Sequence, residues 1–293
     1  MLWAWGLTQS PGCDMRMRDV ARYFDNEKIY DGYTGRQIFR GQLGEFNDAS
    51  SVGSTLRRRV LSLAPNLEVP TRRCLRIGSQ YWLAGIGLTD TFQGEDTRKT
   101  YNLRKATSYF EILTAAQACS ATLSSSLAYG YEEYEKDTTN AAADSEYSTF
   151  WNVFFAPGEP VRQGSFLRVG SRLLRVRQAY VSAEDLRLAQ TDELDSDAVQ
   201  AAVFTGTGAY DPITDTLSGA ATAAQVLQIE AAKFYRWRQW AEADLRPGDR
   251  SVFVPLATVT PKVSSQFTMS GKTWRVVSLQ PEFDTWAIHA RQV

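Results

Sequence analysis

Residues 156–171, APGEPVRQGSFLRVGS, align without a gap over residues 64–79, APNLEVPTRRCLRIGS, at an offset of 92. The positions that are identical in the two segments include Ala64 and Ala156, Pro65 and Pro157, Leu75 and Leu167, Arg76 and Arg168, Gly78 and Gly170, and Ser79 and Ser171. At an offset of 100, residues 267–276, FTMSGKTWRV, align over residues 167–176, LRVGSRLLRV. A repeat at a near-constant offset indicates that one structural unit occurs three times in the chain.

Each copy has the sequence signature of a β-hairpin. In the third copy, apolar residues flank residues 270–272, and Gly271 can adopt the positive φ that a tight turn requires. Gly78 and Gly170 occupy the matching turns of the other two copies, between flanks rich in large and β-branched residues. A further strand precedes each hairpin and ends at a proline, which cannot donate to a β-ladder.

The spacing of strand and turn signals predicts a mainly β fold, made of repeated small β-barrel or sandwich units with short helical insertions. Each unit is predicted to contain roughly five short strands. The predicted segments are an N-terminal arm at 1–27, β units at 28–107, 125–190 and 229–293, an insertion at 108–124 and a helical insertion at 191–228.

The stretches between the units are predicted to be helical. The Ala-rich residues 107–123 predict a short helix, and a cap at 195–196 predicts another helix that ends at Val203. Residues 218–232 predict a further helix, whereas 233–241 are predicted to be extended because the other copies have strands at that distance before their prolines. Connections of this length are typical of functional loops, so we expect contact surfaces there.

The composition argues against several classes of function. The 293 residues include 32 Lys plus Arg and 33 Asp plus Glu, a formal net charge of −1. A protein that coats nucleic acid needs a surplus of cations to displace counterions, which this chain lacks. Its one histidine, His289, excludes a His-rich metal site and weakens any reading as a His-based hydrolase. The sequence contains no secretory signal and no run of about 18 apolar residues, so we expect no association with a membrane.

The cysteines predict neither a disulfide framework nor a zinc site. Cys13, Cys74 and Cys119 are odd in number, widely spaced and without a CxxC pair. We interpret them as small buried hydrophobic residues with reduced thiols. With no convincing reactive cluster, the sequence predicts a protein that is not an enzyme and needs neither a cofactor nor a metal.

Two further patterns resemble functional motifs only in part. Residues 206–208 begin like a dinucleotide-binding loop, but Asp211 stands where the third glycine belongs, so we interpret them as a turn. Glu132, Glu133 and Glu135 resemble catalytic carboxylates, but they share one Tyr-rich strand, and no partner carboxylate is identifiable elsewhere in the sequence. We interpret these glutamates as a solvated strand face.

Alternating acidic residues resemble the beginning of a calcium-binding loop. Glu193, Asp195 and Asp197 have the required spacing, but Ala198 replaces the glycine of the loop and Phe204 replaces its bidentate glutamate. An acidic turn that caps a helix explains the pattern better.

Basic and aromatic residues alternate at 235–240, and three arginines cluster at 57–59. Aromatic rings that stack on bases, together with cations that bind phosphates, favour single-stranded nucleic acid. A strand whose arginine stems cover one of its faces explains 235–240 better. The second cluster suits a surface that faces either DNA or carboxylates. The candidate interaction residues are Arg57, Arg58, Arg59, Arg236, Trp237, Arg238 and Trp240.

The order of strand, proline, strand, glycine turn and strand resembles the small β-barrel head-to-tail joining proteins of tailed bacteriophages, the stopper or head-closure group. Residues 259–293, which contain the strand TWRVV, carry the resemblance best, followed by 151–190 and then 60–107. Proteins of that group usually have one such unit, whereas this chain has three copies of the pattern.

The resemblance implies a structural protein of the virion neck, assembled in the host cytoplasm. Its implied partners are further copies of itself in a ring, the portal or adaptor protein, tail proteins, and genomic DNA that passes through the channel with at most non-specific contact. If so, an insertion should contact a neighbouring subunit, and replacing 195–228 by a linker should spare folding but block assembly. A carbohydrate-binding or adhesion β module is the alternative, and a hydrolase comes third.

Overall fold

A computed structural model describes most of the chain. The described residues are 27–45, 58–70, 74–85, 87–92, 94–120, 126–136, 149–183, 185–194, 197–206, 208–211, 213, 216–230 and 246–293. The chain forms two compact units, Met1–Lys105 and Ala106–Val293. The first unit contains one β-barrel and the second contains two, so the predicted mainly β fold of repeated small barrels is confirmed.

The first barrel closes through six strands, with a seventh strand at its edge. Its strands are β1 Glu27–Asp31, β2 Gln37–Glu45, β3 Arg58–Leu63, β4 Leu75–Ile77, β5 Gln80–Ala84, β6 Leu88–Phe92 and β7 Glu95–Lys105. The barrel closes where β3 pairs with β7, and β6 lies beside the N-terminal half of β7. Its interior is filled by apolar side chains that include Ile29, Leu61, Leu75 and Trp82.

The second barrel has six strands and one short helix. The strands are β8 Ser108–Leu113, β9 Ser126–Lys136, β10 Thr149–Phe155, β11 Phe166–Val169, β12 Arg172–Val181 and β13 Arg187–Glu193. The helix α1, Ala115–Cys119, lies in the connection between β8 and β9. Phe110 and Phe155 meet edge to face inside this barrel, with ring centroids 5.2 Å apart.

The third barrel has six strands and a small hairpin outside the barrel. The barrel strands are β14 Val199–Thr205, β17 Thr222–Glu230, β18 Arg250–Pro255, β19 Gln266–Met269, β20 Lys272–Glu282 and β21 Thr285–Gln292. Between β14 and β17, the strands β15 Tyr210–Asp211 and β16 Thr216–Leu217 pair as the hairpin. Phe204 and Phe267 stack inside the barrel, with ring centroids 4.7 Å apart.

The three barrels have the same strand topology. In each barrel, the first strand pairs with the second and fourth, the third pairs with the second and sixth, and the fifth pairs with the fourth and sixth. The fifth strand is long and bulged in the last two barrels, at Val176/Gln178 and Val276/Ser278, whereas in the first barrel β5 and β6 share its place. The repeated order of strand, turn and hairpin predicted from the sequence is therefore confirmed.

The turn glycines adopt the conformation that the sequence predicts. Gly78, Gly170 and Gly271 have φ values of 60°, 58° and 71°. Ser270 stands at the position that aligns with Gly170 and also has a positive φ, 51°. A left-handed conformation is unfavourable for residues with a Cβ, so this turn is locally strained in the third barrel.

The helices predicted between 191 and 232 are wrong. Residues 218–232 contain β17, and the region that was predicted to end a helix at Val203 contains β14. The Ala-rich sequence of β17 favours a helix locally, but its backbone pairs with β14 on one side and β18 on the other. Both strands close the third barrel, so replacement of 195–228 cannot spare its folding.

The stretch 107–123 is only partly helical. Residues 108–113 form β8, which pairs with β9 and β11, and within the described residues 107–120 only the five residues of α1 are helical. The insertion therefore supplies the first strand of the second barrel. The predicted extended segment 233–241 lies outside the described residues, as do residues 1–26 of the predicted N-terminal arm 1–27, whereas Glu27 begins β1.

Candidate functional site

The structure describes little of the interaction surface predicted from the sequence. Arg59 is exposed on β3, with its guanidinium carbon 5.9 Å from the centroid of the Trp82 ring. Arg58 is placed by its backbone in the same strand. The other predicted residues, Arg57, Arg236, Trp237, Arg238 and Trp240, lie outside the described residues, and the prediction for them is untested.

The residues that resemble dinucleotide-binding and calcium-binding motifs make contacts within the protein. A Cβ at Gly206 would lie 2.9 Å from Leu217 Cβ, and one at Gly208 would lie 2.6 Å from the Ser218 carbonyl oxygen. These glycines therefore allow the two chain segments at the base of the hairpin to pack closely. Glu193 accepts hydrogen bonds from Arg172 at 3.2 Å and from the Trp151 indole at 3.0 Å.

The glutamates of β9 are less uniform than a solvated strand face. Glu133 is exposed, but Glu132 is partly buried and accepts from Arg172 at 2.8 Å. The side chain of Glu135 lies outside the described part of the chain.

The two described cysteines are buried, as the sequence predicts. Burial raises the pKa of Cys119 to about 12, with a smaller contribution from the Asp284 carboxylate. The Cys74 thiol donates to the Trp82 carbonyl at 3.3 Å. A thiol with a raised pKa is a poor nucleophile at neutral pH, so Cys119 serves the packing of the protein.

His289 belongs to a buried polar cluster in the third barrel. Its Nε2 lies 2.8 Å from Asp249 Oδ2, and Arg291 donates to both oxygens of the same carboxylate at 3.2 and 3.0 Å. Burial acts to raise the pKa of Asp249, but hydrogen bonds from Arg291, the Arg246 amide and His289 outweigh it and lower the pKa. Because one carboxylate binds both the His289 ring and the Arg291 guanidinium, the cluster stabilises the barrel.

A docked helix, a buried ion pair and a cleft lie together at the junction between the second and third barrels. Helix α1 begins with a capping box, in which Thr114 Oγ1 accepts from the Gln117 amide and Gln117 Oε1 accepts from the Thr114 amide. The Ala115 amide then donates to Asp284 Oδ2 of the third barrel at 3.0 Å. The connection between the first two strands of the second barrel thereby docks on the third barrel.

A buried ion pair joins the two barrels at this junction. Arg175 of β12 donates to Glu282 of β20, and both side chains are more than nine-tenths buried. The guanidinium carbon of Arg175 lies 4.3 Å from the centroid of the Phe253 ring, which also meets Phe166 edge to face at 6.4 Å. Since such a pair costs desolvation and is destabilising once broken, the junction favours one relative placement of the two barrels.

A cleft of about 560 Å³ opens beside the junction. Ile112, Val161 and Phe283 provide apolar lining, and Thr114 and Ser165 provide polar lining. The two barrels meet there closely, because a Cβ at Gly164 would lie 2.4 Å from the ring of Phe283. Gly164 has a φ of 80°, so both its conformation and its missing side chain allow this contact.

Two arginines, Arg162 and Arg187, also line the cleft. Neither has a carboxylate partner within the described ranges. The Nε of Arg187 is buried and makes no hydrogen bond to any described residue. Other arginines of this unit are paired with carboxylates: Arg168 with Glu111, Arg172 with Glu132 and Glu193, Arg175 with Glu282, Arg177 with Asp192, and Arg291 with Asp249. The cleft therefore combines an apolar lining with two arginines and the Asp284 carboxylate.

Sequence reasoning missed this junction, although the repeat contained a signal for it. Phe166 and Leu173 in the second copy align with Gln266 and Thr273 in the third. Apolar residues that become polar at equivalent outward positions indicate a covered face on one unit and an uncovered face on the other. The partner barrel could not be identified from that difference alone.

Comparisons with known proteins do not identify a relative. No protein family, curated protein or solved structure matches the chain. Among the described residues, no cluster of three or more His, Cys, Asp or Glu side chains is arranged to hold a metal ion. No helix within the described ranges is long and apolar enough to cross a membrane.

Proposed function

We propose that this protein is a structural subunit of the neck of a tailed bacteriophage. It forms a ring that joins the portal and head to the tail, and the ring lines or closes the DNA channel. Its partners are other copies of the chain, the portal or adaptor protein, and tail proteins. It acts in the virion neck after assembly in the host cytoplasm, without a catalytic role.

The observation that carries the proposal is the threefold occurrence of one closed six-stranded barrel in a single chain. The segment with the best resemblance to joining proteins, 259–293, contains the last three strands of the third barrel, β19 to β21. Small closed barrels leave few free strand edges, so their surfaces are suited to side-chain contacts between subunits. Heterologous contacts between identical subunits generate rings when the rotation closes.

The junction of the second and third barrels suits a subunit that holds the head and tail in a fixed arrangement. The buried Arg175 and Glu282 pair and the apolar cluster around Phe166 and Phe253 hold the two barrels as one body. A ring subunit that transmits the position of the head to the tail gains from such a fixed arrangement.

The charge of the chain also suits a channel that DNA passes through. A formal net charge of −1 provides little attraction for phosphates over the whole protein. Strong non-specific binding relies on many cations and would oppose the movement of DNA. Contact with the genome is therefore non-specific at most.

Electron microscopy of the purified protein with and without a portal ring tests the proposal. We expect a ring with a central channel that stacks on the portal of the same phage and not on a portal from an unrelated phage. A chain that remains a monomer and does not bind its portal would contradict the neck function.

Exposed aromatic residues on the second barrel favour the alternative of a carbohydrate-binding or adhesion module. Tyr134 is 51% exposed and meets Trp151 with ring centroids 5.0 Å apart. The guanidinium carbon of Arg172, however, lies 4.4 Å from the centroid of the Trp151 ring and covers one of its faces. Glycan-array binding that is lost in Tyr134→Ala but kept in Tyr180→Ala, another exposed tyrosine, would select this alternative.

A further inference from the structure

The cleft beside the junction lies at one mouth of the second barrel. Leu113 ends β8, Ser126 begins β9 and Arg187 begins β13, and all three line the cleft. The connection 156–165 between β10 and β11 contributes further lining residues. Neighbouring strands of this barrel are antiparallel, so these strand ends meet on one side of it. The mouth of a β-barrel is a frequent place for ligand binding.

Much of the lining is apolar. Ile112 and Val161 line the cleft and also belong to the cluster that fills the second barrel. Phe283, which the third barrel contributes to the same lining, remains 51% exposed. An aliphatic or aromatic side chain that enters the cleft therefore displaces water from apolar surface.

The third barrel already covers part of this mouth with an apolar residue next to a carboxylate. Phe283 lies against Gly164, and the Asp284 carboxylate accepts a hydrogen bond from the Ala115 amide at 3.0 Å. The second barrel thus accepts a segment of this chemistry within the chain itself. The uncovered part of the mouth is suited to a second segment of the same kind.

The uncovered part of the mouth contains two arginines. The side chains of Arg162 and Arg187 form no hydrogen bond or ion pair with any residue that the structure describes. The Nε of Arg187 is buried, and a buried donor without an acceptor is unfavourable. Asp284 also lines the cleft but pairs with neither arginine within the described ranges. Two guanidinium groups against one carboxylate leave the cleft with an excess of positive charge.

We infer that this mouth binds an acidic peptide segment of a partner protein, in which an apolar residue adjoins a carboxylate. The apolar residue packs on Ile112 and Val161 beside Phe283. The neighbouring carboxylate accepts hydrogen bonds from Arg162 and Arg187, because guanidinium groups bind carboxylates with strong, directional hydrogen bonds. A cleft of about 560 Å³ holds a few side chains of such a segment.

The apolar lining favours a peptide over nucleic acid. Phosphates of a nucleic acid would bind the arginines but would leave Ile112, Val161 and Phe283 without an apolar partner. The inference goes beyond the proposed ring, because it concerns what the second barrel recognises and not how copies of the chain assemble.

Fluorescence anisotropy of three labelled peptides with the full chain tests the inference. Each peptide has blocked ends and carries isoleucine, leucine or phenylalanine between two aspartates. We expect saturable binding of at least one peptide, and binding at least about tenfold weaker when asparagines replace its aspartates. Arg162→Gln and Arg187→Gln should each weaken binding by about tenfold. Arg275→Gln, which changes an exposed arginine of the third barrel, should bind the peptide like the unchanged protein.

Three results would overturn the inference: no saturable binding of any of the three peptides, equal binding of the asparagine peptides, and undiminished binding in both cleft variants. The asparagine peptides keep the test decisive if a variant loses its native circular dichroism, because they leave the protein unchanged. A single-stranded oligonucleotide that displaces the labelled peptide at a lower concentration than the unlabelled peptide does would also overturn it. Ring formation and portal binding are measured separately by electron microscopy, so a failure of the neck function is distinguishable from a failure of peptide binding.

Discussion

The second and third barrels share one topology, but the outward-facing side chains of their fourth and fifth strands differ. In the second barrel, Phe166 is fully buried and Leu173 partly buried against the third barrel. At the equivalent positions of the third barrel, Gln266 is exposed and Thr273 is half-buried. Residues that point into the two barrels stay apolar, so the repeat preserves the barrel interior. The outward residues differ because one barrel covers them and solvent contacts the other set.

One repeated arginine shows the same difference. Arg175 is 2% exposed and pairs with Glu282 across the junction, whereas the aligned Arg275 is exposed. Arginine is thus compatible with a buried and with an exposed position. The adjoining barrel provides the carboxylate that pairs with Arg175. The alignment of two arginines therefore does not imply a shared role.

The backbone around these positions is the same in both barrels. The Val176 amide donates to the Ser165 carbonyl at 2.8 Å, and the Val276 amide donates to the Ser265 carbonyl at 2.8 Å. The comparison indicates that the two barrels share these backbone hydrogen bonds, whereas the outward-facing side chains determine what each barrel contacts.

The largest expected effect comes from replacing Phe166 of the second barrel by glutamine, the residue at the equivalent position of the third barrel. Phe166→Gln removes an aromatic ring from the junction and buries an amide, so we expect the free energy of unfolding to fall by about 5 kcal/mol. Chemical denaturation followed by tryptophan fluorescence measures this change. The matched exchange, Gln266→Phe, lies on an exposed face and should change stability by less than about 0.5 kcal/mol. Equal losses in both variants would contradict the difference between the two faces.

The buried ion pair is expected to have the next largest effect. Glu282→Gln removes the charge of the carboxylate that pairs with the buried Arg175, which should cost about 3 kcal/mol in the free energy of unfolding. Asp90→Asn breaks the exposed pair between Asp90 and Arg98 and should cost less than about 1 kcal/mol. Thermal unfolding of both variants checks the prediction, and a loss in Glu282→Gln no greater than in Asp90→Asn would remove the ion pair from the junction.

The buried cluster of the third barrel should make stability depend on pH. The pKa of Asp249 is lower in the folded protein than in the unfolded chain, so its contribution is complete above the unfolded pKa and is lost as the pH falls through the folded pKa. Asp249→Asn should therefore lower the free energy of unfolding by about 2 kcal/mol at neutral pH. Urea denaturation should show the difference from the unchanged protein shrinking below pH ~4. A difference that stays constant down to acid pH would exclude this carboxylate as the cause.

Exchange of the turn residues has the smallest expected effect and opposite signs in the two barrels. A Cβ at Gly170 would contact nothing within 4 Å, so Gly170→Ser should cost about 1 kcal/mol through its positive φ alone. Ser270→Gly relieves the same conformation but loses the hydrogen bond from Ser270 to Gln200, so a gain below about 1 kcal/mol is expected. Melting temperatures measure both changes, and a shift in the same direction for both would contradict equivalent turns.

Much of the fold could be predicted from the sequence because the repeat preserves its turns and strand ends. The hairpins at Gly78, Gly170 and Gly271 were found from residues that local geometry requires. The first and second strands of the last barrel were not found, because the Ala-rich residues 218–232 favour a helix in isolation. Their strand conformation depends on long-range pairing, which local sequence does not contain.

The repeated unit, its proline-ended strand and the positions of its hairpin turns follow from the sequence, because proline, glycine and alternating apolar residues act through the local backbone. Three other features depend on the tertiary structure: the closure of each barrel through six strands, the burial of Arg175 opposite Glu282, and the cleft that Arg162 and Arg187 share. These features join residues far apart in the chain, so they arise only when closure of the barrels brings distant surfaces into contact.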